Sequence, residues 1–186
     1  MYTGTPPWDI GRPQPAFQRL ADEGALRGRV LDAGCGTGEH TLMAAALALD
    51  ALGVDTAPAA IELAQGKARE RGIAARFLAW DALDLGSLDG RFDTVLDSGL
   101  FHVFDDEARA RYVASLEAAT AAGAWYHMLC FSDREPGDWG PRRVSRGEIE
   151  DSFAGRWRVE TIEPTRFETT LDAGSVDGWR VAAVRA

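Results

Sequence analysis

The run Asp32-Ala33-Gly34-Cys35-Gly36-Thr37-Gly38 follows a short apolar segment, Arg29 to Ala33, and leads into a helix-forming one, Glu39 to Leu49. Glycines at alternate positions let a backbone turn sharply and approach a ligand with no Cβ in the way. The helix behind such a loop offers unpaired N–H groups to whatever the loop holds. The dinucleotide pattern G-x-G-x-x-G, begun at Gly34, needs a third glycine where Glu39 stands. A carboxylate there competes with a pyrophosphate, which disfavours NAD and FAD, and no G-x-x-x-x-G-K-[ST] run is present. Two further acids stand where strands are expected to end. Asp55 closes Ala51 to Asp55 and can accept both hydrogen bonds of a ribose diol. Asp81 follows Ala75 to Trp80 and can accept from an adenine amine, with the Ala82 N–H facing the ring and Trp80 or Ile61 against the purine. The ligand these residues describe has a ribose and a purine, lacks phosphate and, beside Asp32, carries positive charge. S-adenosylmethionine meets those terms.

The elements that position these residues alternate along the chain. A proline-rich start, Met1 to Pro15, precedes a helix over Ala16 to Glu23. Strands are expected at Arg29 to Ala33, Ala51 to Asp55, Ala75 to Trp80, Phe92 to Asp97 and Ala124 to Phe131. Between them, Thr56 is expected to cap a helix from Ala57 to Gly72, and a second helix runs from Asp106 to Ala121, stopped by Gly123. Ser145 and Glu148 form a capping-box pattern for a helix to Phe153. Arg156 to Glu163 and Trp179 to Arg185 alternate like paired antiparallel strands. Repeated strand-helix-strand units predict an α/β, Rossmann-like seven-stranded, mostly parallel sheet with helices on both faces and an antiparallel edge hairpin. Ligands of such sheets sit beyond the carboxyl ends of the strands.

The D-x-G-x-G-x-G loop and the two downstream acids resemble the class I S-adenosylmethionine-dependent methyltransferases, over about Arg29 to Phe131. The resemblance implies that Asp32, Gly34, Cys35, Gly36, Gly38, Asp55, Thr56, Asp81, Ala82, Asp97 and Ser98 hold the cofactor, released as S-adenosylhomocysteine. Pro6-Pro7-Trp8-Asp9-Ile10-Gly11-Arg12-Pro13-Gln14-Pro15 is similar to the small-molecule branch that includes thiopurine, thiol and halide methyltransferases and bacterial heterocyclic-toxin methyltransferases. Asp97-Ser98-Gly99-Leu100-Phe101-His102 is similar to the same group, where this segment lines the meeting point of methyl and acceptor. Trp8 is expected to touch both cofactor and acceptor, as a lid. Phe101, His102 and Trp139 are expected to contact the acceptor.

Methyl transfer from a sulfonium is an in-line displacement with a good leaving group, so alignment contributes most, up to roughly 7–11 kcal/mol. A base is needed only where the nucleophile must lose a proton. His102 is the candidate. His40, in the first turn after the loop, is expected to pack; His127, mid-strand, to be structural; Tyr126, on the opposite face from His127, could reach the pocket. Arg142, Arg143 and Arg146 form the one local basic cluster, either a solvated loop over the pocket rim or a contact for an anionic acceptor.

Composition narrows the function classes. Acids outnumber bases 29 to 20, a net charge of −9, and Lys67 is the only lysine, so a nucleic-acid partner is not expected. The longest apolar run, Leu42 to Leu49, falls short of the ~20 residues of a membrane span. The two cysteines, Cys35 and Cys130, form no disulfide framework, no signal-peptide pattern opens the chain, and no metal-ligand spacing occurs. The expectation is a cytoplasmic enzyme of one domain over 1–186: a cap segment and helix at 1–27, a cofactor-binding core at 28–131, and an acceptor side at 132–186. Its expected reaction moves a methyl group to an N, O or S atom of a small, aromatic or heterocyclic acceptor. A thiol, thiopurine or tellurite-type detoxifying methyltransferase, and a protein that binds S-adenosylmethionine without turnover, are the alternatives. Monomer and dimer both stay open.

Overall fold

The computed structural model describes residues 6–186. One sheet organises them, with strand order β3-β2-β1-β4-β5-β7-β6. Its strands are β1 (Arg29–Ala33), β2 (Asp50–Asp55), β3 (Arg76–Ala79), β4 (Phe92–Ser98), β5 (Thr120–Phe131), β6 (Trp157–Glu168) and β7 (Ser175–Arg185). The pairs β1–β2, β1–β4, β2–β3 and β4–β5 are parallel. β7 runs antiparallel to both β5 and β6. The helices are α1 (Pro15–Asp22), α2 (Glu39–Ala46), α3 (Pro58–Arg71), α4 (Asp106–Ala119) and α5 (Arg146–Phe153). None of the described helices is long and apolar enough to cross a membrane.

The two-residue period of the central strands divides the core. In β4, Val95 packs with Tyr112 and Leu116 of α4, while Leu96 packs with Phe17 and Leu20 of α1. In β5, Met128 joins the first cluster and Leu129 the second. α4 and α5 therefore cover one face. α1 and α2 cover the other, with α3 beside α2 through Leu42, Ile61, Ala64 and Phe77. Helix starts follow local chemistry. Asp105 accepts from the Ala108 N–H at the head of α4, and Ser145 with Glu148 forms a reciprocal capping box at α5.

Several boundaries differ from the sequence reading. Thr56 does not cap α3; Ala57 is the N-cap, Pro58 opens the helix, and Asp55 Oδ1 accepts the Ala57 N–H at 2.9 Å. Gly123 does not stop α4, which ends at Ala119; the chain enters β5 at Thr120, and Gly123 takes φ 80° at the irregular start of that strand. α2 ends at Ala46, short of Leu49, where Ala48 takes a left-handed φ of 60°. β6 continues to Glu168, past the expected end at Glu163, because β7 pairs with it from Ser175 onward.

Candidate active site

The carboxyl ends of β1, β2 and β4 open into one cavity of about 540 Å³, within the ~300–1,000 Å³ usual for small-molecule sites. At one end lie Gly34, Cys35, Gly36, Thr37 and Asp55; at the other lie Ser98, Leu100, His102, Phe131, Trp139 and Phe167.

The glycine loop is held from below. Asp32 is buried and its Oδ2 accepts from the Thr41 N–H at 3.0 Å and the Thr41 hydroxyl at 2.7 Å, which fastens β1 to α2. Its Oδ1 is enclosed without a hydrogen-bond partner, and burial pushes the Asp32 carboxyl up to about 7. Asp55 Oδ2 accepts the Gly36 N–H at 2.9 Å, so the acid that ends β2 reaches across the loop. A Cβ on Gly36 would meet no other group within 4 Å, because this residue faces the cavity. Gly38 differs: it does not line the cavity, and a Cβ there would lie 2.6 Å from Phe77 and 2.8 Å from Ala64. Its glycine permits packing of α2 on α3 and β3. Cys35 lines the cavity with its thiol pushed well up by burial, so it stays protonated.

Behind the loop, Glu39 is nearly enclosed and meets Lys67 Nζ at 2.8 Å and Arg71 at 2.8 and 2.9 Å. Burial opposes its ionisation, but hydrogen bonds from Arg71 and Lys67 outweigh burial and hold the carboxyl below its usual value. Lys67 also donates to the Thr37 hydroxyl at 2.6 Å, which donates to Asp9 Oδ2 at 2.7 Å.

Asp9 belongs to the roof. Residues 6–12 cross the cavity and place Pro6, Pro7, Trp8, Asp9, Ile10 and Arg12 on its wall, with Trp8 56% exposed. The rest of that expected cap, residues 1–5, lies outside the described residues. The roof is fastened to the far end of β6 and the turn after it: Thr170 N–H donates to the Pro7 carbonyl at 2.7 Å, Arg12 pairs with Glu168, and Gln14 exchanges two hydrogen bonds with the Glu168 backbone at 2.9 and 3.0 Å. The Gln14 N–H donates to His40 Nε2 at 3.1 Å, and burial lowers His40 to about 4. His40 thus packs as expected, against Phe17, and also reaches the cavity wall.

The other expected ligand contacts divide. Ser98, His102 and Trp139 line the cavity. Asp97 does not, since it is fully buried; Oδ1 accepts from the Leu100 and Phe101 N–H groups and Oδ2 from the Tyr112 and Tyr126 hydroxyls. Burial raises its carboxyl to about 6 despite those four donors. Tyr126 accordingly anchors Asp97 and does not reach the pocket. Phe101 is also turned inward, stacked on Phe153 at 5.7 Å with the Arg109 guanidinium 4.5 Å from its ring. Thr56 is exposed at the head of α3 and off the cavity wall. Asp81 and Ala82 stand past β3 and do not line the cavity; Asp81 Oδ1 accepts the Leu83 N–H at 2.9 Å. Ile61 is buried between α2 and α3, and Trp80 Nε1 donates to the Asp84 carbonyl, so neither ring nor branch lines the cavity. His127 is buried beside Trp125 with no partner for Nε2, so it fills the structural place expected of it by packing and not by hydrogen bonding.

His102 does not fit a general base. Its Nδ1 accepts the Phe131 N–H at 2.9 Å, so the single proton of the neutral ring sits on Nε2, where it can only be donated. Burial, followed by the Arg143 and Arg109 charges, lowers this imidazole to about 3. Phe131 and Phe167 were not anticipated as cavity residues. Phe131 ends β5, where the strand-end rule would have found it; Phe167 lies beyond the expected end of β6. Arg143 is not a free ligand for an anion, because its N–H groups donate to the carbonyls of Glu135, Pro136, Trp139 and Pro141.

The glycine cradle open at Gly36, the Asp55 carboxylate across it and the buried acid beneath fit an adenosine-bearing cation. A family profile described as a methyltransferase domain matches residues 30–123. The 2-heptyl-1-hydroxyquinolin-4(1H)-one methyltransferase of Mycobacteroides abscessus is 40% identical over 178 residues, covering 93% of this chain and 77% of that protein. A solved structure described as "Conversion of a Disulfide Bond into a Thioacetal Group during Echinomycin Biosynthesis" is 37% identical with a TM-score of 0.89, covering 97% of this chain and 85% of that one. The 1,6-didemethyltoxoflavin-N1-methyltransferase of Burkholderia thailandensis shares the fold at 22% identity, with a TM-score of 0.73 and coverage of 92% and 77%. The chain belongs to the class I S-adenosylmethionine-dependent methyltransferases.

Proposed function

We propose that the chain transfers the methyl group of S-adenosylmethionine to an N, O or S atom of a small aromatic or heterocyclic acceptor. The observation that carries this reading is the single cavity that joins the glycine loop to an aromatic enclosure under one roof. When bound, S-adenosylmethionine supplies an electrophilic methyl group on a sulfonium. Gly34, Cys35, Gly36 and Asp55 hold it; Asp81 and Ala82, next to Trp80, whose N–H donates to the Asp55 carbonyl, keep the adenine role expected of them. Ser98, at the acceptor end, meets the cofactor from that side, and Trp8 closes over both ends. Phe131, Phe167 and Trp139 orient a flat acceptor by stacking and edge contacts. The name of the Mycobacteroides relative supports a heterocyclic acceptor.

A sulfur acceptor is the second reading, favoured by the disulfide-to-thioacetal chemistry in the description of the echinomycin structure. Calorimetric titration with S-adenosylmethionine and S-adenosylhomocysteine, followed by mass detection of methylated products from heterocycles and thiols, tests both. Product from a hydroxyquinolone and none from thiols supports the first reading. Product from thiols alone supports the second. Tight cofactor binding with no product from any acceptor identifies a binding protein without turnover.

A further inference from the structure

The acceptor end of the cavity has an electrostatic character unlike the cofactor end. The acidic residues on the cavity wall, Asp9, Glu39 and Asp55, all lie on the roof or around the glycine loop. The wall formed by residues 98–100, His102, Val103, Phe131, 139–141, Phe167, Thr169 and Leu171 contains none. It contains instead the His102 Nε2–H, which has no hydrogen-bond partner among the described residues and is not among the enclosed polar atoms. The ring carrying that proton cannot turn, because Nδ1 is fixed by the Phe131 N–H and the ring packs edge-on to Phe131 at 4.9 Å.

Behind the aromatic floor stands a cation. The Arg143 guanidinium lies 5.3 Å from the Phe131 ring centre and 5.2 Å from that of Trp139. It forms no ion pair with any described carboxylate, and carbonyl partners leave its charge intact. Arg109, the other guanidinium near His102, is partly offset by Glu148 at 3.5 Å. A low-dielectric aromatic enclosure with a fixed donor and an unpaired cation at its back stabilises negative charge in front of it.

We propose that His102 is a specificity-determining donor that binds an ionised oxygen of the acceptor, so that the substrates are planar conjugated oxyanions, with Arg143 as a positioning residue. This rests on the methyltransferase reading above. An oxyanion brings its own lone pair and has no proton to lose. Accepting a methyl cation makes it neutral, which agrees with an active site whose imidazole is already protonated at the nitrogen it presents. The proposal separates acceptors by charge: phenolates, N-oxides of the hydroxyquinolone kind and enolates are bound, and neutral amines are not.

The test is calorimetry on protein saturated with S-adenosylhomocysteine. The probes are 2-heptyl-1-hydroxyquinolin-4(1H)-one and its 1-methoxy ether at a pH where the first is ionised, with 4-nitrophenolate and 4-nitroanisole as a second pair. The ionised member of each pair is expected to bind about tenfold tighter or more, the range for hydrogen bonds to charged groups. That advantage disappears in His102→Phe, is kept in His102→Gln, which preserves an N–H donor, and shrinks in Arg143→Gln. The bound nitrophenol also reports its own ionisation by absorbance. Equal affinity within the pairs, undiminished preference in His102→Phe, or no binding of either oxyanion to the saturated protein overturns the proposal. Failure to bind S-adenosylhomocysteine at all would instead remove the reading on which it rests.

Discussion

The Tyr126 hydroxyl donates to Asp97 Oδ2 at 2.7 Å, from the fifth strand to the fourth, between two fully buried side chains. The same oxygen takes the Tyr112 hydroxyl at 2.9 Å, while Oδ1 fixes the loop that carries Leu100 and His102. Asp97 is thus a buried staple between the sheet and the acceptor wall.

Tyr126→Phe should destabilise the fold by about 1–3 kcal/mol, the cost of leaving a buried charged group short of a partner. The loss depends on pH. Asp97 is raised to about 6, so its carboxyl is mostly protonated in the fold below that value, and its destabilising effect grows from about pH 4, where the unfolded chain starts to ionise, up to about pH 6. Removing a donor to the carboxylate therefore hurts more at pH 8 than at pH 5. Urea unfolding at the two values checks the sign, and an equal loss at both would mean that Asp97 does not ionise in this range.

Two glycines of one loop should respond in opposite ways. Gly38→Ala places a Cβ into Phe77 and Ala64 at φ 88°, so the thermal midpoint should fall by an amount matching at least ~2–3 kcal/mol. Gly36→Ala meets open space at φ 52° and should lose only ~1–2 kcal/mol of stability. It should nevertheless weaken S-adenosylmethionine binding by tenfold or more, about 1.4 kcal/mol, because the new methyl group enters the cradle. Thermal unfolding and calorimetry on the same samples separate the two outcomes.

Asp32, pushed up to about 7, should couple cofactor binding to proton release. A cationic ligand at the loop favours the ionised carboxyl and lowers its pKa. Affinity for S-adenosylmethionine should accordingly rise from pH 6 to pH 8. Calorimetry in buffers of different ionisation enthalpy should show a proton leaving. In Asp32→Asn the pH dependence should vanish, and the sulfonium compound should lose about 1–2 kcal/mol more than S-adenosylhomocysteine.

Three buried imidazoles should make the fold acid-sensitive. His40, His102 and His127 are lowered to about 4, 3 and 4 from 6.5, so between those values the unfolded chain binds more protons than the folded one. The three rings therefore draw stability down as pH drops below about 6.5, by up to about 1.4 kcal/mol per pH unit each, and outnumber the two raised carboxyls, Asp32 and Asp97, whose protonation in the fold opposes them. His127→Phe removes one such ring, whose Nε2 has no partner, and should flatten the decline. Chemical denaturation between pH 7 and pH 4.5 measures the slope.

The parts of the site that were legible are those written locally. Strand, glycine loop and helix are contiguous, so Gly34, Gly36 and Asp55 could be placed on the cavity from spacing, and the proline-rich Trp8 segment, expected over the pocket, does lie on its wall. What escaped depended on distant partners. Asp97 and Phe101 stand at a strand end and looked ligand-facing; two tyrosines, Tyr112 and Tyr126, turn the carboxylate inward, and Arg109 and Phe153 do the same for the ring. The protonated nitrogen of His102 is set by a backbone N–H at Phe131, which no residue near His102 in the chain announces. Phe167 was lost because the expected sixth strand stopped at Glu163, and only its pairing with β7 extends it.

Lys67, the chain's single lysine, is clamped on Glu39 and on the threonine that holds the roof. Acylating reagents thus find one side-chain amine, and its reactivity becomes a one-site gauge of whether loop, helix and roof are assembled. Fluorescent or isotopic tagging at that amine would follow opening and closing without any cysteine having to be introduced.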